Sequence, residues 1–310
     1  MVRVRVRGAL AACAISLIAA GCTPATTGRQ PAEGSTSSTT SVSAASSPVR
    51  TATSPSVART SATAHARHVP APPSTSSSST PPAQLPNPAA GSQPVVVINP
   101  GHNGGNAAHA AEISRSVYAG FGMYKACDTT GTETDAGYPE HAFNWDVSQR
   151  VAAILRAHHV RVVFTRTDDT GVGPCVNDRA AIGNHPWVAA VVSIHADGAP
   201  ASGHGFHVNL DSRRPEGATA ETVAASKRLA DEIHSALVSS SGLVPSTYIG
   251  SDGYYYRSDL AGLNLASRPA TFLELGNMRN AHDASLESSA AGRARIATAV
   301  AVGILTYLSR

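Results

Sequence analysis

Two histidines and two glutamates in this chain are of the right types to hold a divalent metal and activate a water molecule together. His102 closes the turn Asn99-Pro100-Gly101-His102, His195 lies in Ser193-Ile194-His195-Ala196-Asp197, and Glu274 heads Glu274-Leu275-Gly276-Asn277. Between the two histidines stand two acidic candidates, Glu133 and Glu140. Two imidazoles and a carboxylate hold a zinc ion and leave one coordination position for water, whose proton a second carboxylate can take. Glu274 is acidic within an otherwise apolar run, so a structural role for it would require a buried partner. The other histidines carry no comparable pattern: His204 and His207 flank a strand start at an odd spacing, His141 adjoins Glu140, His158-His159 close a helix, and no His-Glu-x-x-His occurs.

The elements that must position these groups alternate in type. Val95 to Ile98, Val160 to Thr165, Val188 to Ile194, Phe206 to Leu210 and Ala270 to Leu273 are short runs rich in β-branched or aromatic residues and read as strands. Asn144 to Ala157 places Val147, Val151, Ile154 and Leu155 on one helical face, Leu229, Ile233 and Leu237 repeat that spacing, and an Ala-rich helix spans about Ala291 to Leu308. Strands alternating with helices predict a single α/β domain: a mainly parallel or mixed twisted sheet with helices on both faces and the site at the strands' carboxyl ends. His102, His195 and Glu274 fall at such ends, whereas Glu140 stands just before a helix, behind the helix-entry pair Tyr138-Pro139.

The order of these motifs and the apolar runs around them closely resemble the zinc-dependent N-acetylmuramoyl-L-alanine amidases of bacterial peptidoglycan, over roughly residues 95 to 310. The family pattern places an Asn four residues after its Glu ligand. Asn144 satisfies this for Glu140, while the residue four after Glu133 is Gly137. The resemblance therefore implies one zinc ion held by His102, Glu140 and His195, with Glu274 as general base and then acid in cleaving the amide between N-acetylmuramic acid and L-alanine. Arg257, after Tyr254-Tyr255-Tyr256, is a candidate for holding a substrate carboxylate, and His207 for touching substrate. Two departures stand out. Many members read Asp-Pro-Gly-His where this chain has Asn99, which leaves an outer carboxylate beside the first ligand absent or replaced by an amide, and His141 takes the place of a common Lys. The long loop from about Ala107 to Tyr138 carries Tyr118, Phe121, Met123 and Tyr124 and is a candidate cover for the groove. A zinc carboxypeptidase and a non-catalytic peptidoglycan-binding protein are the competing functions.

The first third of the chain speaks to destination. Residues 1–22 combine Arg3, Arg5 and Arg7, an apolar stretch from Ala9 to Ala20, and Gly21-Cys22, the layout of a secretory signal in a segment too short to span a membrane. Gly21-Cys22 also resembles a bacterial lipobox, with Ala19 where a bulky aliphatic residue is usual, so Cys22 is a candidate lipidation site and membrane anchor. Residues 23–94 are Ser, Thr, Ala and Pro with almost nothing to bury and read as a disordered tether. Removing three charges for the leader and three for the tether (Arg29, Arg50, Arg59 and Arg67 against Glu33) from the formal +3 leaves the domain, 95–310, at about −3. That sign argues against nucleic acid as a partner. Of the four cysteines, Cys127 and Cys175 are the only pair within the domain, and in an exported protein such a pair most often forms a disulfide. The expectation is an exported envelope monomer acting on peptidoglycan, with no activator identified.

Overall fold

The computed structural model describes residues 93–310; the leader, Cys22 and all but the last two residues of the tether lie outside them. The chain enters the fold as β1 (Val95–Pro100), makes a 3-10 turn (Asn106–His109) and α1 (Ala110–Ile113), and crosses the hairpin β2 (Ser116–Tyr118) and β3 (Tyr124–Ala126). It continues through α2 (Glu140–Ala157), β4 (Arg161–Phe164), α3 (Val176–Gly183), β5 (Val188–Asp197), β6 (His207–Asp211) and α4 (Ala220–Ser240). The last part comprises β7 (Tyr254–Arg257), α5 (Ala261–Asn264), β8 (Ala270–Asn277), α6 (Ala281–Ser288) and α7 (Ala290–Leu308).

Six strands form one sheet in the order β4-β1-β5-β8-β6-β7. β4, β1, β5 and β8 run parallel; β6 opposes β8, and β7 runs parallel to β6, so the sheet is mixed. The helix spacings explain the layer on one face. Phe143, Val147, Val151 and Leu155 recur every four residues along α2 and are fully buried, as are Leu229, Ile233 and Leu237 of α4 and Ile296, Val300 and Ile304 of α7. They pack with Val96, Ile98, Val192, Ile194 and Leu273 of the sheet into one cluster. Each such side chain contributes about 1.5–3 kcal/mol. Side-chain caps begin three of the late helices: Thr219 accepts from Thr222 N (3.2 Å) ahead of α4, Asn280 from His282 N (3.0 Å) ahead of α6 and Ser289 from Gly292 N (3.0 Å) ahead of α7.

The opposite face alternates with the first, as the two-residue strand period requires. Its lower half is covered by a smaller cluster in which Leu263 of α5 and Ala266 meet Val97, Val188, Val191, Ala270 and Phe272, with Ile182 of α3 alongside. The carboxyl half of this face lines a cavity. Two strands run further than their apolar runs suggest: β5 continues to Asp197 and β8 to Asn277, which puts His195 and Glu274 inside strands and not at their ends. Glu140 is likewise the first residue of α2, with Pro139 as its N-cap, and not a residue ahead of the helix. His204 lies outside β6, so it and His207 do not share a strand.

Candidate metal centre

Register brings the site together. His195 on β5 pairs with Glu274 on β8, and Glu274 pairs with His207 on β6, so the three form one row across the sheet on one face. One step lower, Ser193, Phe272 and Asn209 form the next row on that face, and the Phe272 ring stacks beneath His195 at a centroid distance of 4.2 Å. His102 arrives from the turn after β1 with φ +56°, the left-handed region where His is enriched among non-glycine residues. Gly101 is required by close approach, since a Cβ there would overlap the His195 ring. Glu140 joins from the start of α2, where a buried carboxylate also meets the favourable end of the helix dipole.

His102, Glu140 and His195 each offer a ligand atom, and these atoms lie within 4.8 Å of one another. His195 Nδ1 is 2.9 Å from Glu140 Oε1, and His102 Nε2 is 3.1 Å from Oε2. Glu140 is aimed by three donors: Thr132 N (3.0 Å), Ala196 N (3.3 Å) and Asn144 Nδ2 (3.2 Å), the last also donating to Gly101 O (3.2 Å). The rival Glu133 is exposed and only bridges Pro139 through its backbone.

Charges are arranged to attract a cation. Burial raises the Glu140 carboxyl, but the charge of His102 and hydrogen bonds from both imidazoles outweigh it and hold the group well below the usual carboxylate range. Burial lowers His102, yet Glu140 and Asp128 together lift it to about 10. Burial dominates at His195 and lowers it. Glu274 behaves oppositely to Glu140: burial, then Glu140 and Asp197, push its carboxyl well above the usual range, and its Oε2 is buried without a partner. Two imidazoles, one ionised carboxylate and an orphaned acceptor beside them fit a zinc ion and its water in donor type and in charge.

An outer carboxylate is present after all, but not at position 99. The Asn99 amide donates to Ser193 Oγ (3.0 Å) and accepts from Thr165 Oγ1 (2.6 Å), tying β1 to β5 and to the residue just after β4. Asp128 stands 3.3 Å from His102 Nδ1 instead, and Arg179 Nη2 holds its other oxygen at 3.0 Å. Arg179 and Arg166, both buried, also bond the carbonyl of Pro100 (2.7 and 3.1 Å), so two guanidinium groups clamp the turn that carries the first histidine. Sequence reasoning missed Asp128, Arg166 and Arg179; the one signal available was the position of Asp128 next to a cysteine. That cysteine, Cys127, is bonded to Cys175 as expected.

The remaining candidates are less central. Arg257 lines the cavity, but its guanidinium is engaged by Asp259 (2.7 and 2.8 Å), which Lys125 also approaches. His207 is buried behind the cavity wall, its Nε2 3.4 Å from Asp197 Oδ2, and burial lowers it to about 4, so it is neutral. His141 Nδ1 lies 2.8 Å from Asp169 Oδ2 and does not line the cavity. The cavity of about 470 Å³ is lined by His102, Glu140, His195, Asp197 and Glu274. Lys125, Ala126 and residues 128–132 form one wall of it, so that part of the long loop is a side of the groove.

Residues 96–306 match the family model described as N-acetylmuramoyl-L-alanine amidase. An N-acetylmuramoyl-L-alanine amidase of Mycobacterium tuberculosis is 44% identical over 216 residues, covering 69% of this chain and 86% of that protein. The crystal structure of the amidase Ami1 from Mycobacterium smegmatis superposes with a TM-score of 0.66 at 44% identity, over 70% of this chain and 98% of that one. The apo form of Ami1 from Mycobacterium abscessus gives 0.65 at 46% identity, over 70% and 99%.

Proposed function

The chain belongs to the N-acetylmuramoyl-L-alanine amidase family, and on that premise we propose that it cleaves the amide joining the lactyl group of N-acetylmuramic acid to L-alanine, using zinc held by His102, Glu140 and His195. The observation that carries this reading is the convergence of those three side chains beside a buried carboxyl, Glu274, with an unsatisfied oxygen. Zinc supplies Lewis-acid polarisation of the scissile carbonyl and acidifies a water molecule.

This chain's own residues do the rest. Glu274 Oε2 accepts the water proton and delivers it to the nitrogen of the leaving amine; the raised affinity of this carboxyl for protons suits it to the second half of that exchange. Glu140 keeps its charge beside His102 and His195, and Thr132, Ala196 and Asn144 hold its carboxylate in place by donating to it. Phe272 packs under His195 and fixes the plane of its ring. Asp197, the pocket neighbour of His207 and acceptor from Tyr248 OH (3.2 Å), presents one polar wall, and Arg257 with Lys125 presents a basic one for a stem-peptide carboxylate. In this reading His207 serves substrate through Asp197.

Export through residues 1–22, with lipid attachment at Cys22, would deliver the enzyme to the envelope, where its substrate is. Among the described residues no helix is long and apolar enough to cross a membrane. The test is product analysis: the full chain incubated with muramyl dipeptide and with intact wall should release a new L-alanine amino terminus, identified by mass spectrometry. New carboxyl termini within the stem peptide would make it a carboxypeptidase, and binding without any new terminus would make it a non-catalytic wall protein.

A further inference from the structure

We propose that the Cys127–Cys175 disulfide sets the metal affinity of the site by holding Asp128 and Thr129 against the outer nitrogen of His102. The proposal rests on the reading of His102, Glu140 and His195 as the metal ligands. One nitrogen of His102, Nε2, faces Glu140; the other, Nδ1, is 3.0 Å from the Thr129 carbonyl oxygen, 3.2 Å from Thr129 Oγ1 and 3.3 Å from Asp128 Oδ1. All three of these atoms belong to the two residues that follow Cys127. The outer partner of a ligating imidazole fixes its tautomer and ring orientation and raises its basicity, so the placement of these two residues enters directly into the strength of the first ligand.

What places them is a staple between two distant parts of the chain. The disulfide spans 48 residues and joins the segment to Cys175, the residue immediately ahead of α3. Val176 N donates to Cys127 O at 2.9 Å, and one turn into α3 Arg179 reaches back to Asp128 Oδ2 and to the carbonyl of His102 (both 3.0 Å). The segment itself, Asp128-Thr129-Thr130-Gly131-Thr132, has no sheet ladder or helix to hold it. Gly131 takes φ +78° and packs so closely that a Cβ would clash with the Glu140 carboxylate and the His102 ring. On its other side the anchors are backbone bonds from Cys127 N to Arg115 O (2.7 Å) and from Asp128 N to Ile113 O (3.1 Å), which lead to a four-residue helix and a three-residue strand. Asn106 Nδ2 also donates to Thr129 O (2.7 Å) and Glu140 N to Thr132 O (2.9 Å), and to these hydrogen bonds the disulfide adds a covalent cross-link.

Reduction by a dithiol transfers two electrons to the disulfide, gives two cysteine thiols and leaves the reductant as its own disulfide. The expected consequence is a looser Asp128-Thr129 segment and weaker metal binding, with the ligand side chains still present. The experiment measures zinc itself, by competition with a chromophoric chelator, on the full chain. Four proteins are compared: the oxidised wild type, Asp128→Asn, the double Cys127→Ser/Cys175→Ser variant, and all three changes together. Each of the first two alterations should weaken zinc binding by about 10- to 100-fold. Combined, they should weaken it by little more than the larger one alone, because both act through the same contact.

Losses that multiply would mean that the disulfide acts through general stability and would overturn the proposal, as would an unchanged dissociation constant in the serine variant. Should the serine variant not fold, Asp128→Asn carries the test alone, since it retains the disulfide and unchanged zinc affinity there also overturns the idea. His195→Ala in the same titration separates the premise from the proposal. If that variant binds zinc like the wild type, the ligand assignment is at fault; if it does not bind, only the role of the disulfide is being judged.

Discussion

At the scale of single residues the site sorts two carboxyls by surroundings. Glu140 receives three donors beside two imidazoles and stays ionised, whereas Glu274, in the same cavity, has an oxygen with no partner and holds its proton more tightly. Glu274→Gln keeps the shape and removes the proposed base, so zinc content should remain at about one per chain while kcat falls at least about a hundredfold. Turnover near that of the wild type would reassign Glu274 to structure. A third buried carboxyl gives a pH prediction. Glu287 in α6 is fully buried with both oxygens unpaired, and burial, then Asp283 and Glu140, raise it to about 9. Between about pH 4.5 and 9 the unfolded chain has given up this proton while the folded protein keeps it, so stability falls as pH rises through that window. Glu287→Gln should therefore flatten the dependence of Tm on pH between 5 and 9 and be the more stable protein at the alkaline end; parallel curves for the two proteins would rule this out. The four central residues were legible because their types are rare together, whereas Asp128 and the two buried arginines gain their roles from contacts 26 to 79 positions away, which no local pattern encodes.

At the scale of elements, helices α2, α4 and α7 and the strands β1, β5 and β8 follow from spacing, since an apolar residue every three or four positions or a β-branched run states which face is buried. What spacing did not reveal is where β5 and β8 stop, because their last residues are polar for the sake of the site and still continue the ladder. β7 was hidden in an aromatic run, and the hairpin β2–β3 in a loop that looked like a cover. That hairpin is tied down from elsewhere in the fold: Tyr118 Oη and Phe121 N both donate to Glu216 (2.8 and 2.6 Å), Asn264 Nδ2 donates to Ala119 O (2.8 Å), and Arg213 lies 3.7 Å over the Phe121 ring. A fixed wall is expected in place of a swinging lid. Glu216→Ala removes two of these ties, so limited proteolysis should begin to cut between Tyr118 and Tyr124 while zinc content stays unchanged. Equal resistance to protease in both proteins would show that Asn264 and Arg213 suffice to hold the hairpin.

At the scale of the whole molecule, length was enough to foresee one domain and the alternation of strands and helices to foresee its site on a single rim, while the charge of that domain, about −3, argues against the nucleic-acid reading that the whole-chain sign invites. Register was the unreadable part: only the pairing of His195 with Glu274 and of Glu274 with His207 turns residues from three strands into one row. That assembly has a thermodynamic consequence. The three proposed metal ligands come from the turn after β1, the first residue of α2 and the interior of β5, so a bound ion would cross-link two inner strands of the sheet's parallel half to the helix packed on its other face. An ion that binds the folded state alone stabilises it by about 2.7 kcal/mol at a hundred times its dissociation constant and about 4.1 kcal/mol at a thousand times. For a domain of this size about 1 kcal/mol moves Tm by roughly 2–4 °C, so stripping the metal with a chelator should lower Tm by about 5–15 °C, and added zinc should restore it. His195→Ala should show no zinc-dependent shift, which ties the effect to this site and not to adventitious binding at surface histidines. An identical Tm with and without chelator, in protein whose zinc content has been measured to fall, would mean that the ion does not bridge these elements and that the three side chains are held in place by the fold alone.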